Sequence, residues 1–542
     1  MGHPVRLLFA LCVLAVVPVL IANVDGNCVT ATPEDCKTYK YIPGISSVAK
    51  GFDITTMSQK QYPIIQMKTT PGKACIVCPN PLQHHDFQKL PDVFADWSAT
   101  SQCHWKIDTS SFPSSAEIIA SLGKRVKNNW TIGLGPLLVR NVSEQVVYLG
   151  SHSSETDFVN KKMLRDKYSF TKHEVHCGYY KFGLKRNIPL NSMFVSWLKR
   201  LKNPYNSKNN AEYEELIQLY GTHYIHRGEL GGHTEEVTAL KTCELSLDGL
   251  TVDEVGDCLW SEASTQVFRM GKKTTRHEVC QKAQKRQLSN QLFSKKYDER
   301  FVKATSRSLN DISLLFMGSE SRSEMLTWMK NLNKEPDIIS YSLTPIHELV
   351  NFSPTIKKNL KMAITNYIRS RAFRRKCPTC PKDTMPSPLK PCRCLCKQNA
   401  QITQDCCPKQ RGLAMLTVKV NKGETLYGDV IGQTDGFVTV CLEKKCYRTD
   451  TIDNNDNPIW SYTMSFGSVI LSRNSKITVN VFDQDYLWSE KLGSCTEALG
   501  KTNGSEKKIC YLKHGKILYD INVECGPYLT GPSCSEHKAS YH

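Results

Sequence analysis

The sequence predicts an α+β chain made of several units, and three stretches carry that expectation. In the first, Tyr213, Leu216, Ile217 and Tyr220 recur at helical spacing, after which His223, Ile225 and Arg227 alternate with Tyr224 and His226. A short amphipathic helix therefore runs through Gly221 into a strand. The paired Gly231 and Gly232 inside that strand predict a sharp bend or a close backbone approach, because glycine weakens a strand interior. The second stretch, Cys377 to Cys407, packs seven cysteines among five prolines; it has too little apolar surface for a core and reads as a disulfide knot. The third begins at Leu413, where Ala414, Leu416, Val418 and Val420 alternate with other residues as a half-buried strand does.

The chain opens with Arg6 and an apolar run from Leu7 to Ala22, broken by Pro18. That order, and a run shorter than the ~20 residues of a spanning helix, are those of a secretory signal peptide, here placed at 1–26. Cys12 falls within it, which leaves an even number of the 23 cysteines in an oxidising compartment and points to a disulfide framework. Cys377, Cys380, Cys392, Cys394 and Cys396 could also ligate zinc, but export and cysteine density favour bridges. Asn129, Asn141, Asn351 and Asn503 head Asn-x-Ser/Thr sequons, which fits an exported glycoprotein. Acidic and basic residues balance from Arg411 onward, so the formal excess of +18 lies in residues 1–410. A basic surface suits nucleic acid, anionic lipid or an acidic carrier. Export favours the last two, and no nucleic-acid-binding signature is present.

Within the body, residues 28–110 read as stapled, loop-rich β structure. Ser114–Val126 reads as a helix, Trp130–Leu134 as a strand, and Glu155–Lys167 as a polar helix followed by a strand through Val175, Cys177 and Tyr179. Asn191–Lys202 reads as an amphipathic helix, Val237–Leu247 as a strand, and Ser353–Arg375 as a helix whose closing arginines favour its dipole. Residues 251–316 form a strongly basic helical cluster with scattered apolar positions. On composition alone this cluster and its counterpart upstream are solvated helices packed on a sheet.

An aromatic residue at Tyr213, then Tyr220-Gly221-Thr222-His223-Tyr224 and Gly231-Gly232, resemble the signature of the membrane-attack-complex/perforin (MACPF) family. The resemblance implies a MACPF domain, at 27–376, with a bent antiparallel sheet flanked by two helical clusters. In that family the clusters, here about 140–190 and 251–316, refold as hairpins of a transmembrane β-barrel. A closed barrel is one of only two ways to satisfy every backbone group in lipid. The knot at 377–410 resembles an epidermal-growth-factor-like module. In 411–525, Asp429 and Asp435 on one loop and Asp483 and Asp485 on another resemble the Ca²⁺-binding loops of a C2 domain, a β-sandwich. Glu490, beside Lys491, stands near where such domains often have a further aspartate. Tyr427, Val430, Tyr486, Leu487 and Trp488 flank these acids as membrane-contacting residues. Residues 526–542 form a C-terminal tail.

This order is that of the perforin branch of the family. The resemblance implies the pairs Cys28–Cys78, Cys36–Cys75, Cys103–Cys177, Cys243–Cys407, Cys377–Cys392, Cys380–Cys394, Cys396–Cys406, Cys495–Cys510 and Cys525–Cys534. Cys441 and Cys446, five apart, can staple a hairpin, and Cys258 and Cys280 remain to pair by elimination. It further implies a secreted protein held in a cytolytic granule and released by a cytotoxic lymphocyte. That protein binds Ca²⁺, docks on the phospholipid plasma membrane of a target cell, assembles as a homo-oligomeric ring and passes granzyme-like proteases. No catalytic site is expected: there is no Gly-x-Ser-x-Gly elbow, and neither His173-Glu-Val-His176 nor His347-Glu348 has the spacing of a His-Glu-x-x-His metalloprotease. The rival is a non-lytic, Ca²⁺-dependent lipid-binding or scaffold protein with the same domains.

Overall fold

A computed structural model describes residues 28–68, 72–103, 106–134, 137, 144–269, 274–286, 291–305, 313–376, 380, 384–387, 394–428, 432–486, 488–500 and 503–539. At its centre Tyr168–Leu184 and His223–Lys241 run antiparallel, paired from Gly183 opposite Arg227 to Tyr168 opposite Lys241 with one shift of register. Phe94–Cys103 and Asp108–Phe112 pair with the first of these strands, and Arg300–Ala304 and Asp337–Pro345 with the second.

Successive side chains on a strand point to opposite faces, and here each face meets a different insertion. Residues 113–167 join Asp108–Phe112 to Tyr168–Leu184 and carry the helices Ser115–Ser121 and Ser154–Met163, whose Ile118, Ile119 and Val159 pack on Tyr168, Phe170, Val237 and Ala239. Residues 242–336 lie between His223–Lys241 and Asp337–Pro345. Their helices Val252–Phe268 and Ser321–Asn331 cover the other face, where Ala263, Val267, Met325 and Trp328 meet Val175 and Cys177.

The corner forms as its spacing predicts. Helix Asn210–Tyr220 buries Tyr213, Leu216, Ile217 and Tyr220, and Gly221 takes φ 85°, where a Cβ would strike the backbone of Phe52. The paired glycines mark a close approach. The ladder shifts register between Leu230 and Gly231, a Cβ on Gly231 would stand 1.9 Å from the Cys177 carbonyl oxygen, and one on Gly232 would collide with Leu332 and Trp328.

The C-terminal domain is a sandwich of two four-stranded antiparallel sheets. One is ordered Ile459–Ile470, Leu413–Glu424, Lys516–Cys525, Gly504–Tyr511; the other Lys445–Arg448, Gly436–Leu442, Lys476–Gln484, Ser489–Ala498. Ala414, Leu416, Val418 and Val420 face its core. Residues 526–539 are not a loose tail: Leu529 and Cys534 enter that core, and Leu529–Thr530 pairs with Glu536–His537. Disulfides join Cys28–Cys78, Cys36–Cys75, Cys103–Cys177, Cys243–Cys407, Cys258–Cys280, Cys380–Cys394, Cys396–Cys406, Cys441–Cys446, Cys495–Cys510 and Cys525–Cys534. Cys377 and Cys392 lie outside the described residues.

Four local expectations are overturned. Trp130–Leu134 is a run of turns, because the Asn129 side chain accepts the Thr131 amide at 3.1 Å and Gly133 takes φ 85°. The strand through Val237 ends at Lys241 and Thr242–Leu247 is helical, held there by the Cys243 bridge and by Arg411, which pairs with Glu244 at 2.8 Å and Asp248 at 2.9 Å. The helix from Pro354 stops at Ser370 with only Arg369 of the arginines in its last turn, and Phe373–Lys376 pairs as a strand with Glu144–Val147. The upstream cluster is 113–167 rather than 140–190, because Tyr168–Leu184 belongs to the central sheet.

Gly231→Val puts its Cβ onto the Cys177 carbonyl and is expected to cost at least about 4 kcal/mol. Gly500→Ala, with open space around it, stays within about 0.5 kcal/mol. Thermal melting of the two secreted variants checks the contrast.

Candidate functional site

Two places combine unusual chemistry with exposure or strain. The first is one end of the C-terminal sandwich, where the loops after Leu413–Glu424, before Ile459–Ile470 and after Lys476–Gln484 converge. Asp483, next to last in its strand, stands opposite Gly436 and is buried, at 1% exposure. Its Oδ1 accepts the Asp435 amide at 2.7 Å, and the Gln484 amide donates to the Asp435 carbonyl at 2.9 Å, so the two loops are locked together. Gly428 passes so close that a Cβ there would lie 1.9 Å from Asp483 Oδ2. The first loop thus wraps the carboxylate with bare backbone.

Asp485 opens the turn whose amide bonds the Trp488 carbonyl at 3.0 Å. Glu490 stands across the ladder from Asp483 but is exposed. The structure therefore brings Asp435, Asp483 and Asp485 to one end of the sandwich. Asp429, Val430 and Leu487 lie outside the described residues. Oxygen donors on two loops are the type that suits a hard cation such as Ca²⁺, and Asp435, Asp483 and Asp485 would hold one by drawing together, since among the described residues the ligand atoms already gathered within 4.8 Å are those of Glu174, His233 and Glu235.

Around these acids the surface is apolar. Tyr486 is 101% exposed, Trp488 69% and Tyr427 55%, with the Tyr427 ring edge-on to His514. Ile459, 69% exposed and next to the Pro458 carbonyl that the Gly423 amide bonds, joins them; periodicity marks it only as the first residue of a strand. Asp456 was also missed as a support, since its Oδ1 accepts the Thr434 amide and hydroxyl at 3.0 and 2.9 Å and so braces the first loop. The sequons at Asn129, Asn351 and Asn503 are exposed; Asn141 lies outside the described residues.

The second place is the corner. The Thr222 amide donates to the Phe52 carbonyl at 2.9 Å, and Thr222 Oγ1 accepts the Ile54 amide at 3.1 Å. His223 is fully buried, with Nε2 donating to the Trp130 carbonyl at 3.0 Å and Nδ1 accepting the Thr222 hydroxyl at 2.8 Å. Thr222 and His223 thus tie the strand to two other parts of the chain, and Tyr224 packs beside them in the core.

Residues 41–376 match the family described as the MAC/Perforin domain. This chain is a member of that family. Residues 414–512 match the C2 domain. Perforin-1 of Rattus norvegicus is 34% identical over 521 residues, covering 95% of this chain and 94% of its own. Perforin-1 of Mus musculus is 33% identical, with coverage of 95% and 94%. Complement component C6 of Bos taurus is 28% identical over 265 residues, 45% of this chain and 27% of its own.

In this MAC/Perforin chain the buried histidines set a pH limit. Burial pushes His223 on one strand, and His173 beneath the Gly256 carbonyl, down to about 4 each. Both are therefore neutral when folded. Their contribution is complete above the ordinary value near ~6.5 and is lost as pH falls through about 4, at about 3 kcal/mol each. Melting temperature should accordingly fall between about pH 6.5 and 4, and His223→Gln should flatten that fall. An unchanged slope in the variant, followed by thermal melts across the range, would remove His223 from the account.

Proposed function

We propose that this chain is a Ca²⁺-dependent, membrane-binding, pore-forming cytolytic protein. The C2 tip loads Ca²⁺ at Asp435, Asp483 and Asp485, together with Asp429 and with Glu490 at the margin, and docks Tyr427, Tyr486, Trp488 and the adjoining Val430 and Leu487 on the phospholipid of a target cell. Docked copies assemble into a ring. Residues 113–167 and 242–336 then leave the sheet and become β-hairpins that close a transmembrane barrel through which granzyme-like proteases pass. The chain is secreted, is stored in a cytolytic granule before release, and acts without catalysis.

One observation carries this reading: the helices of the two insertions lie on opposite faces of a single strand pair, so either set can lift away while the ladder between Tyr168–Leu184 and His223–Lys241 stays intact, the second insertion also giving up the pairing of Arg300–Ala304 with Thr234–Thr238. The Cys258–Cys280 bridge lies within the second insertion and ties its helices to one another, not to the sheet. No helix among the described residues is long and apolar enough to cross a membrane, and barrels cross with strands. Similarity to Perforin-1 along nearly the whole chain supports the same conclusion.

Dye release from liposomes with and without Ca²⁺ is the deciding experiment. Binding without release would establish the non-lytic scaffold instead. Asp483→Asn with Asp485→Asn is expected to abolish Ca²⁺-dependent binding, because it removes two charges and keeps the shape. Trp488→Ala with Tyr486→Ala should weaken lipid binding about tenfold or more while Ca²⁺ affinity in solution holds; parallel loss of both would reduce the aromatics to props of the fold.

A lock tests the movement. Ser111 Oγ lies 3.4 Å from where a Cβ on Gly256 would sit, so Ser111→Cys with Gly256→Cys can bridge the second insertion to the sheet. Docking should persist and lysis vanish until gentle reduction restores it. Full lysis by the verified bridged form would rule out release of that insertion.

A further inference from the structure

The face of the strand pair that meets residues 113–167 changes character along its length. Towards Tyr168 and Ala239 it is apolar. Towards His233 it is charged. Arg125, in the turn that follows helix Ser115–Ser121, brings Nη2 to 2.6 Å from a Glu235 carboxylate oxygen and donates to His233 Nδ1 at 2.7 Å. Lys172 pairs with Glu174 at 2.6 Å and stands 3.9 Å from Glu235, and Lys303 is the ladder partner of Glu235. These groups line a cavity of about 360 Å³ between the insertion and the sheet.

The ligand-type atoms of Glu174, His233 and Glu235 lie within 4.8 Å of one another. Arg125 and Lys172 already occupy the acceptors that a metal ion would need, so the cluster is an ion network across a seam. Its members come from different parts: Arg125 belongs to the first insertion, Lys303 to the strand Arg300–Ala304 within the second, and Lys172, Glu174, His233 and Glu235 to the strand pair.

Glu155 is the member out of balance. It sits in the first turn of Ser154–Met163, is 3% exposed, lines the same cavity, and neither carboxylate oxygen has a hydrogen-bond partner. Its charged neighbours are Glu235, Lys172, Arg125 and Lys303. A buried carboxyl group with no donor carries a desolvation cost, and hydration returns that cost once the group leaves the sheet. An arginine bonded to a buried carboxylate works the other way, because breaking the pair strands a charge.

We propose that this cluster is a primed catch: Arg125 holds residues 113–167 on the sheet through His233 and Glu235, while Glu155 presses them away from it. The catch rests on the reading of this insertion as a hairpin that leaves the sheet, yet its first test needs no pore. Amide hydrogen exchange on the full-length soluble chain is compared between residues 115–163 and the strands Leu413–Glu424 and Lys516–Cys525 of the C-terminal sandwich. Arg125→Met is expected to speed exchange in 115–163 by about tenfold or more and to leave the sandwich unchanged. Glu155→Met, which removes the unpartnered polar atoms, should slow it by about tenfold, and Glu155→Gln, which keeps two polar atoms in the same place, should leave it near the wild-type rate. Arg125→Lys, which keeps the charge but loses the reach to both partners, should fall between wild type and Arg125→Met, and it serves if the methionine variant is not secreted.

On liposomes the arginine variants should speed dye release after docking and Glu155→Met should slow it, with Ca²⁺-dependent binding the same in all. Faster or unaltered exchange in Glu155→Met, or wild-type protection in the arginine variants, overturns the catch. So does an equal change in the sandwich, which would mean a general loss of stability. If the wild-type chain releases no dye, the lytic reading fails and the exchange data alone decide whether the catch exists.

Discussion

The structure depends on one antiparallel ladder, Tyr168–Leu184 against His223–Lys241. A strand has two faces and no interior, so a pair this long must be covered twice. Here both covers are insertions between sheet strands rather than separate domains, one preceding the first strand of the pair and one following the second. The glycines fit the same geometry. Gly231 lets the second strand approach Cys177, and Gly232 lets Trp328 and Leu332 of the second insertion lie against it.

The two covers are held differently. Beneath the second insertion the contact is largely apolar, with Val175, Cys177 and Leu240 against Trp328, Met325 and Leu259, and Glu236 accepts the Leu315 amide at 2.8 Å from the same side. Beneath the first, apolar packing gives way to charge at the His233 end. Apolar contact is roughly proportional to area and insensitive to register, whereas buried ion networks are stable only when every member is satisfied. The first closure thus holds Glu155 without a partner, and the second holds His173 Nδ1 and Trp328 Nε1 without one.

Anchors sit at the roots of the two insertions. Cys243–Cys407 and the pairs from Arg411 to Glu244 and Asp248 tie the start of the second insertion to the C-terminal units, and His537 approaches Asp166 at the end of the first. The sandwich whose tip carries Asp483 and Trp488 is thereby connected to the bases of both insertions. The tip of the sandwich and the two insertions share one covalent and ionic frame.

Helical spacing from Tyr213 to Tyr220, the strand after Gly221 and the alternation from Ala414 to Val420 were legible in the sequence, because each is a local period imposed by one buried face. Acids beside aromatics near Asp483 were legible for the same reason: charge and apolar bulk on one short loop have no use in a core. Where local chemistry and period disagreed, the period misled, as at Trp130–Leu134, where an asparagine side chain made turns, and at Thr242–Leu247, where a bridge and an arginine from distant sequence favoured helix. The network of Arg125, Glu155, Lys172, Glu174, His233 and Glu235 left no trace in the sequence. Its members come from four separate stretches of chain, and only the stacking of an insertion on a strand pair brings their charges within reach of one another.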